Sequence, residues 1–114
     1  MDMPGKEVRP GVWTGLNTQV DWDTVEITGP VYIGSGSCVE PGARIEGPAW
    51  LGNGCLLRAG SKLTRSVLFD YTRVNAGCEF KEVIASPQYV VDRDGHTFYQ
   101  GEEGTTLRWG DARA

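Results

Sequence analysis

From Ile27 onward a large aliphatic residue returns at every sixth position: Ile27, Ile33, Val39, Ile45, Leu51, Leu57 and Leu63. The third and fourth places of each sextet carry turn formers: Gly29-Pro30, Ser35-Gly36, Pro41-Gly42, Gly47-Pro48, Asn53-Gly54 and Ala59-Gly60. The fifth place is small or β-branched: Val31, Ser37, Ala43, Ala49, Cys55 and Ser61. A strand repeats every second residue and a helix about every 3.6, so neither accounts for a strict six with turns inside it. A prism does, if each sextet makes one short strand and one corner. Three sextets then close a triangular coil, and coils stack in parallel at roughly 4.8 Å.

Folding the numbering by eighteen puts Ile27, Ile45 and Leu63 on one wall, Ile33 and Leu51 on a second, and Val39 and Leu57 on the third. The corners fall in line as well: Pro30 over Pro48, Gly36 over Gly54, Gly42 over Gly60. Glycine there supplies the positive φ of a tight corner, and proline presets its own φ. The expected fold is therefore all-β: a left-handed parallel β-helix of about three hexapeptide coils.

After Leu63 the register slips by one. Leu68, Val74 and Phe80 continue the aliphatic row, so one residue is lost around Thr64–Val67. Residues 1–26 do not keep the period; Val12, Trp13, Leu16, Val20, Trp22 and Val25 suit an imperfect leading coil or a cap. Past the repeats, Gln88–Asp92 and His96–Gln100 flank Arg93-Asp94-Gly95, the pattern of a hairpin. A solenoid must cover its last coil, and this hairpin is placed to do so. The tail from Gly101 shows little pattern beyond Leu107 and Trp109, and partial disorder is expected there. The expected organisation is a lead-in over 1–26, the hexapeptide β-helix over 27–84, and a hairpin cap and tail over 85–114.

At 114 residues and net charge −4, with both signs interleaved, the chain is one small domain without a basic patch for nucleic acid. It has no run of membrane-spanning length, and its opening residues lack the apolar stretch of a signal peptide. Cys38, Cys55 and Cys78 are odd in number and widely spaced, and Cys55 and Cys78 fall at the small inward place. Reduced packing cysteines and a cytoplasmic location are the expectation.

Little here points to chemistry. Hexapeptide acyltransferases need a histidine base, and β-helical carbonic anhydrases hold zinc with three histidines; this chain has one, His96, beside Asp94-Gly95. An exposed turn residue is the plainer account of His96, and a small acyltransferase using it is the weakest functional alternative. Gly34-Ser35-Gly36 follows from the repeat and precedes no helix that would receive a phosphate. No catalytic, cofactor-binding or metal-ligating residue is assigned. The outward places say more. Tyr32 and Trp50 stand one coil apart with Val67 near the next place, a candidate interface. Arg44, Arg58, Lys62, Arg65 and Arg73 are weak candidates for holding an anion between subunits, with solvated charge as the default.

The stretch Arg9-Pro10-Gly11-Val12-Trp13-Thr14-Gly15-Leu16-Asn17, followed by Pro30-Val31-Tyr32-Ile33-Gly34, resembles the entry into the C-terminal β-helix of bacterial sugar-nucleotide pyrophosphorylases. The likeness is closest to the mannose-1-phosphate guanylyltransferase-like group and covers about residues 9–96. Thr64-Arg65-Ser66-Val67-Leu68-Phe69-Asp70 resembles the register slip of that family, and Val91-Asp92-Arg93-Asp94-Gly95 the hairpin that ends some of its members. The resemblance implies that catalysis, with its Mg2+, belongs to a separate N-terminal nucleotidyltransferase domain. It implies for this chain a non-catalytic role in oligomerisation or regulation. The expected partners are that domain and further copies of the chain, as a homodimer or homotrimer. A free-standing hexapeptide scaffold or binding module is the alternative.

Overall fold

The computed structural model describes residues 4–102 and 105–114. It is an all-β parallel solenoid, as the six-residue period requires, with about four turns. The chain enters through β1 (Lys6–Arg9) and winds a first coil from β2 (Val12–Thr14), β3 (Gln19–Val20) and β4 (Glu26–Thr28). The second coil is β5 (Val31–Ile33), β6 (Cys38–Val39) and β7 (Arg44–Glu46); the third is β8 (Ala49–Leu51), β9 (Leu56–Leu57) and β10 (Lys62–Thr64). The fourth is β11 (Val67–Leu68), β12 (Thr72–Val74) and β13 (Glu79–Lys81). Then come β14 (Ile84–Ala85), the hairpin β15 (Tyr89–Val91) and β16 (Thr97–Tyr99), a 3-10 turn at Thr105–Leu107, and β17 (Trp109–Asp111).

Three sheets form the walls. The largest has eight strands in the order β1-β2-β5-β8-β11-β14-β15-β16; the others run β17-β12-β9-β6-β3 and β13-β10-β7-β4. The aliphatic rows stack as the period requires: Ile27 on Ile45 on Leu63, Ile33 on Leu51, Val39 on Leu57. Ile33, Leu51, Leu57, Leu63, Leu68 and Val74 exclude solvent entirely. Burying each such side chain contributes about 1.5–3 kcal/mol.

The segment before Ile27 winds a complete coil, because Val12 pairs with Val31 and Val20 with Val39. Its period is hidden by one extra residue at the turn Asp21–Val25, where Asp21 O accepts from the amides of Thr24 and Val25. The slip after Leu63 is a corner one residue shorter. Glu46 and Trp50 are linked through Gly47-Pro48-Ala49, whereas Thr64 and Val67 are linked through Arg65-Ser66 alone. The tight corner puts Arg65 at φ 43° and, one coil on, Glu82 at φ 55°. The buried Ser66 hydroxyl donates to Thr64 O and accepts from Val83 N, satisfying the shortened turn.

One corner column shows what holds the coils at their spacing. The amide of Leu16 donates to Ser35 Oγ, that of Ser35 to Asn53 Oδ1, and that of Asn53 to Asp70 Oδ1, at 2.8–3.0 Å. Each coil's side chain thus satisfies a turn amide of the coil before it. The backbones approach so closely that a Cβ on Gly34 would strike the carbonyl oxygen of Gly52.

The last coil is closed by both predicted and unpredicted elements. Tyr89 pairs with Tyr99 and Val91 with Thr97 in the expected hairpin. The tail beyond it is ordered at its end: β17 pairs antiparallel with β12, and Trp109, 2% exposed, plugs the prism. The loss of period there reflects a change of direction rather than a loss of structure. Leu107, the other large apolar residue of the tail, remains 76% exposed.

Candidate functional site

On β2, β5 and β8 of the eight-stranded wall both ends of the strand turn inward and the central residue points outward, as Tyr32 does between Val31 and Ile33. Pairing places these outward residues in a single file. Trp13 faces Tyr32, Tyr32 faces Trp50, Trp50 faces Val67, Val67 faces Ile84, and Ile84 faces Val91. Six large apolar side chains therefore run along the outside of one face. Sequence reasoning found the middle three, Tyr32, Trp50 and Val67, from the six-residue period. It missed Trp13, hidden by the extra residue in the first coil, and Ile84 and Val91, which lie beyond the period.

The file is packed within itself. Tyr32 and Trp50 stack with ring centroids 4.5 Å apart and planes inclined by 37°. Covered by its neighbours, Tyr32 is only 8% exposed although it points outward; Trp50 and Ile84 stay open at 39% and 44%. Aromatic pairs of this kind contribute about 0.5–1.5 kcal/mol beyond burial.

The five cationic candidates do not converge. Arg44 and Lys62 are cross-strand neighbours on the four-stranded wall, where a hollow of about 180 Å³ is lined by Glu26, Thr28, Glu46 and both cations. Arg44 is already bound by Glu26 through Nε at 2.8 Å. Arg58 pairs with Glu40 at 2.9 Å. Arg73 sits on the third wall beside Leu56, binding Asn75 Oδ1 and Asp111 O at 2.8 Å each. Arg65 joins Glu82, which also binds Arg93, and the hydrogen bond from Arg65 holds the Glu82 carboxyl below the usual range.

His96 lies in the hairpin turn with its side chain largely in solvent, Nδ1 3.3 Å from Asp92. Asp92, Asp94 and His96 bring ligand-type atoms within 4.8 Å of one another. The cluster is accounted for as a turn cap: Asp92 Oδ1 accepts from the amides of both Asp94 and His96 at 2.9 Å. Burial opposes ionisation of Asp92, but those amides keep its carboxyl below the ordinary range.

Cys38, Cys55 and Cys78 are free. Burial pushes the Cys55 thiol up to about 11, which suits a packing residue and not a nucleophile. Burial, and secondarily Glu40, also raises Cys38, which stands outward beside Leu56. Among the described residues no helix is long and apolar enough to cross a membrane.

Over 95 residues, 83% of its length, the chain is 42% identical to UTP–glucose-1-phosphate uridylyltransferase of Synechocystis sp. (strain ATCC 27184 / PCC 6803 / Kazusa). That stretch is 24% of the uridylyltransferase, so the chain spans about a quarter of the relative it matches. No protein-family model matches the chain. The chain is thus homologous to part of a sugar-nucleotide pyrophosphorylase, in keeping with the resemblance carried by Pro10-Gly11-Val12-Trp13 and the hexapeptides.

Proposed function

We propose that this chain is the β-solenoid assembly module of a sugar-1-phosphate nucleotidyltransferase, contributing association and not catalysis. The observation that carries the reading is the outward apolar file from Trp13 to Val91 on the largest wall. Trp50 and Ile84 on this file stay open to solvent although their outward neighbours are apolar, and apolar residues gathered on one face mark contact surfaces. Similarity to a uridylyltransferase supports the class of chemistry in which the module serves. On this reading nucleotidyl transfer, and the Mg2+ it uses, resides in a separate domain working in the cytoplasm. Whether that domain prefers mannose-1-phosphate and a guanylyl donor, as the closest resemblance implies, is decided by its own residues.

Sedimentation velocity on the 114-residue chain tests the reading. An assembled species is expected at tens of micromolar, and a 12.4 kDa monomer would overturn the assembly role. Pyrophosphate release from a nucleoside triphosphate and a sugar-1-phosphate should match the blank. Turnover abolished by substitutions in this chain would overturn the non-catalytic assignment.

A further inference from the structure

The three walls do not end alike. Past the fourth coil the eight-stranded wall is continued by the antiparallel hairpin β15-β16, and the wall of β12 by the antiparallel β17. The third wall stops at β13, the outermost strand of its sheet. Its ladder shows what is left open. The amides of Glu26, Arg44 and Lys62 donate in turn to Ala43 O, Ser61 O and Cys78 O of the next coil. The carbonyls of Thr28, Glu46 and Thr64 accept in turn from the amides of Gly47, Arg65 and Glu82. Glu79 stands in register with Lys62, and Lys81 with Thr64. Their peptide groups therefore face a coil that does not follow. A side chain has taken one of the vacant places: Arg108 Nη2 donates to Glu79 O at 2.9 Å.

A row of unpaired N–H and C=O groups is a template for another chain, which is why sheets commonly cover their edges. Beside this edge lies a hollow of about 270 Å³, floored by Phe80, Val83, Val90, Phe98 and Trp109. Arg108 lines it too, its guanidinium 4.9 Å from the centre of the Phe80 ring. On the outer side of β13, Glu79 and Lys81 are both exposed.

We propose that the free edge of β13 binds an extended segment of a partner protein as a fifth strand of this wall, parallel to β13. The central residue of the segment is apolar and enters the hollow opposite Phe80. The residue before it, opposite Glu79, is basic, and the residue after it, opposite Lys81, is acidic. Facing cross-strand charges attract when opposite and repel when alike. Main-chain bonds supply the affinity and these three side chains the specificity. Repeating the rungs of the coils above, the central N–H donates to Glu79 O in place of Arg108, and the central C=O accepts from the Lys81 amide. Asp92 also lines the hollow, but its Oδ1 is held by the amides of Asp94 and His96. The site needs neither the outward apolar file nor a second copy, so it stands apart from the assembly role.

Amide hydrogen exchange read by NMR on the full 114-residue chain tests the proposal, with the capped peptide Thr-Lys-Ile-Glu-Thr as the probe. Without peptide the Glu79 and Lys81 amides should exchange as open groups; at millimolar peptide both should become protected. Methylating the isoleucine nitrogen removes one rung and should weaken binding by about tenfold or more. Exchanging the charges, as Thr-Glu-Ile-Lys-Thr, should weaken it by about fivefold. Lys81→Pro removes an N–H that faces away from β10, so it should keep the wild-type melting temperature and lose about tenfold in affinity. The methylated peptide decides the same point on the wild-type chain even if Lys81→Pro fails to fold. Amides of Glu79 and Lys81 already protected without peptide would overturn the proposal, and so would no change at them with it. Binding indifferent to the methyl group would overturn strand addition. Tighter binding of the charge-exchanged peptide would overturn the parallel direction.

Discussion

Trp109 stands edge-on to Phe80, ring centroids 6.1 Å apart, and its indole N–H donates to Ser86 O at 3.1 Å. Phe80 is the last aliphatic-row residue of the solenoid, so this contact is where the prism ends. The indole supplies both what an open coil needs: apolar cover for Phe80 and Val90, and a donor for a carbonyl the departing chain leaves behind. Trp109→Ala should therefore cost about 3–5 kcal/mol, the range for deleting a buried aromatic. Trp109→Phe keeps the cover and loses the donor, and should cost less. Urea unfolding followed by circular dichroism reads both; a loss under about 1 kcal/mol for the alanine variant would show that the hairpin alone closes the coil.

Inside the prism two inward positions should respond in opposite senses. Leu51 is wholly buried between Ile33 and Leu68, and Leu51→Ala should cost about 2–5 kcal/mol. Ser61 is equally buried, but its hydroxyl has no hydrogen-bond partner among the described residues. Ser61→Ala removes an unpaired polar group whose burial costs about 1–3 kcal/mol, so it should be neutral or stabilising. A Ser61→Ala variant destabilised as much as Leu51→Ala would mean that the hydroxyl is satisfied in solution.

Two glycines should be required for different reasons. Gly60 has φ +68° and open space where a Cβ would stand, so Gly60→Ala meets only backbone strain of about 1 kcal/mol. Gly34 has a neighbouring coil in the way, and an alanine there must push apart the carbonyl of Gly52 and the amide of Asn53. Backbone cannot yield as a flexible side chain can, so Gly34→Ala should be clearly the worse of the two in thermal melts. The reverse order would show that the coils stack less tightly at that corner.

How much of this was legible in the chain follows from where the period survives. Ile27 to Phe80 could be laid out wall by wall, including the residue lost near Arg65, because each sextet repeats the same apolar and turn chemistry. The first coil was obscured by one extra residue at Asp21–Val25, which shifts Val12 and Trp13 out of the count although their pairing is regular. The tail was obscured because β17 runs against the solenoid, and an isolated tryptophan carries no period. The extra residue of the first coil hid Trp13 from the outward file, and the end of the period at Phe80 hid Ile84 and Val91.

The strand that carries Trp109 should also loosen in acid. The Asp111 carboxyl is brought down to about 2 from 3.8, first by the Arg113 side chain, whose Nε and Nη2 bind it at 3.0 and 2.9 Å, and then by the Arg113 amide. Arg113 in turn lies over the Tyr71 ring at 4.1 Å, tying the tail to a corner residue with φ 64°. A carboxyl depressed in the folded state adds stability that is full above its unfolded value and is lost as pH falls through its folded one. For Asp111 that window runs from about pH 4 down to about pH 2. Asp111→Asn should therefore be less stable than wild type at neutral pH, with the difference shrinking across that window. Because Glu82 and Asp92 are depressed too and titrate in both proteins, the comparison of the two variants isolates Asp111. Denaturant melts at stepped pH, followed by tryptophan fluorescence, give the difference directly. If it stayed constant from pH 7 to pH 2, Asp111 would not be the acid-sensitive clasp of the cap.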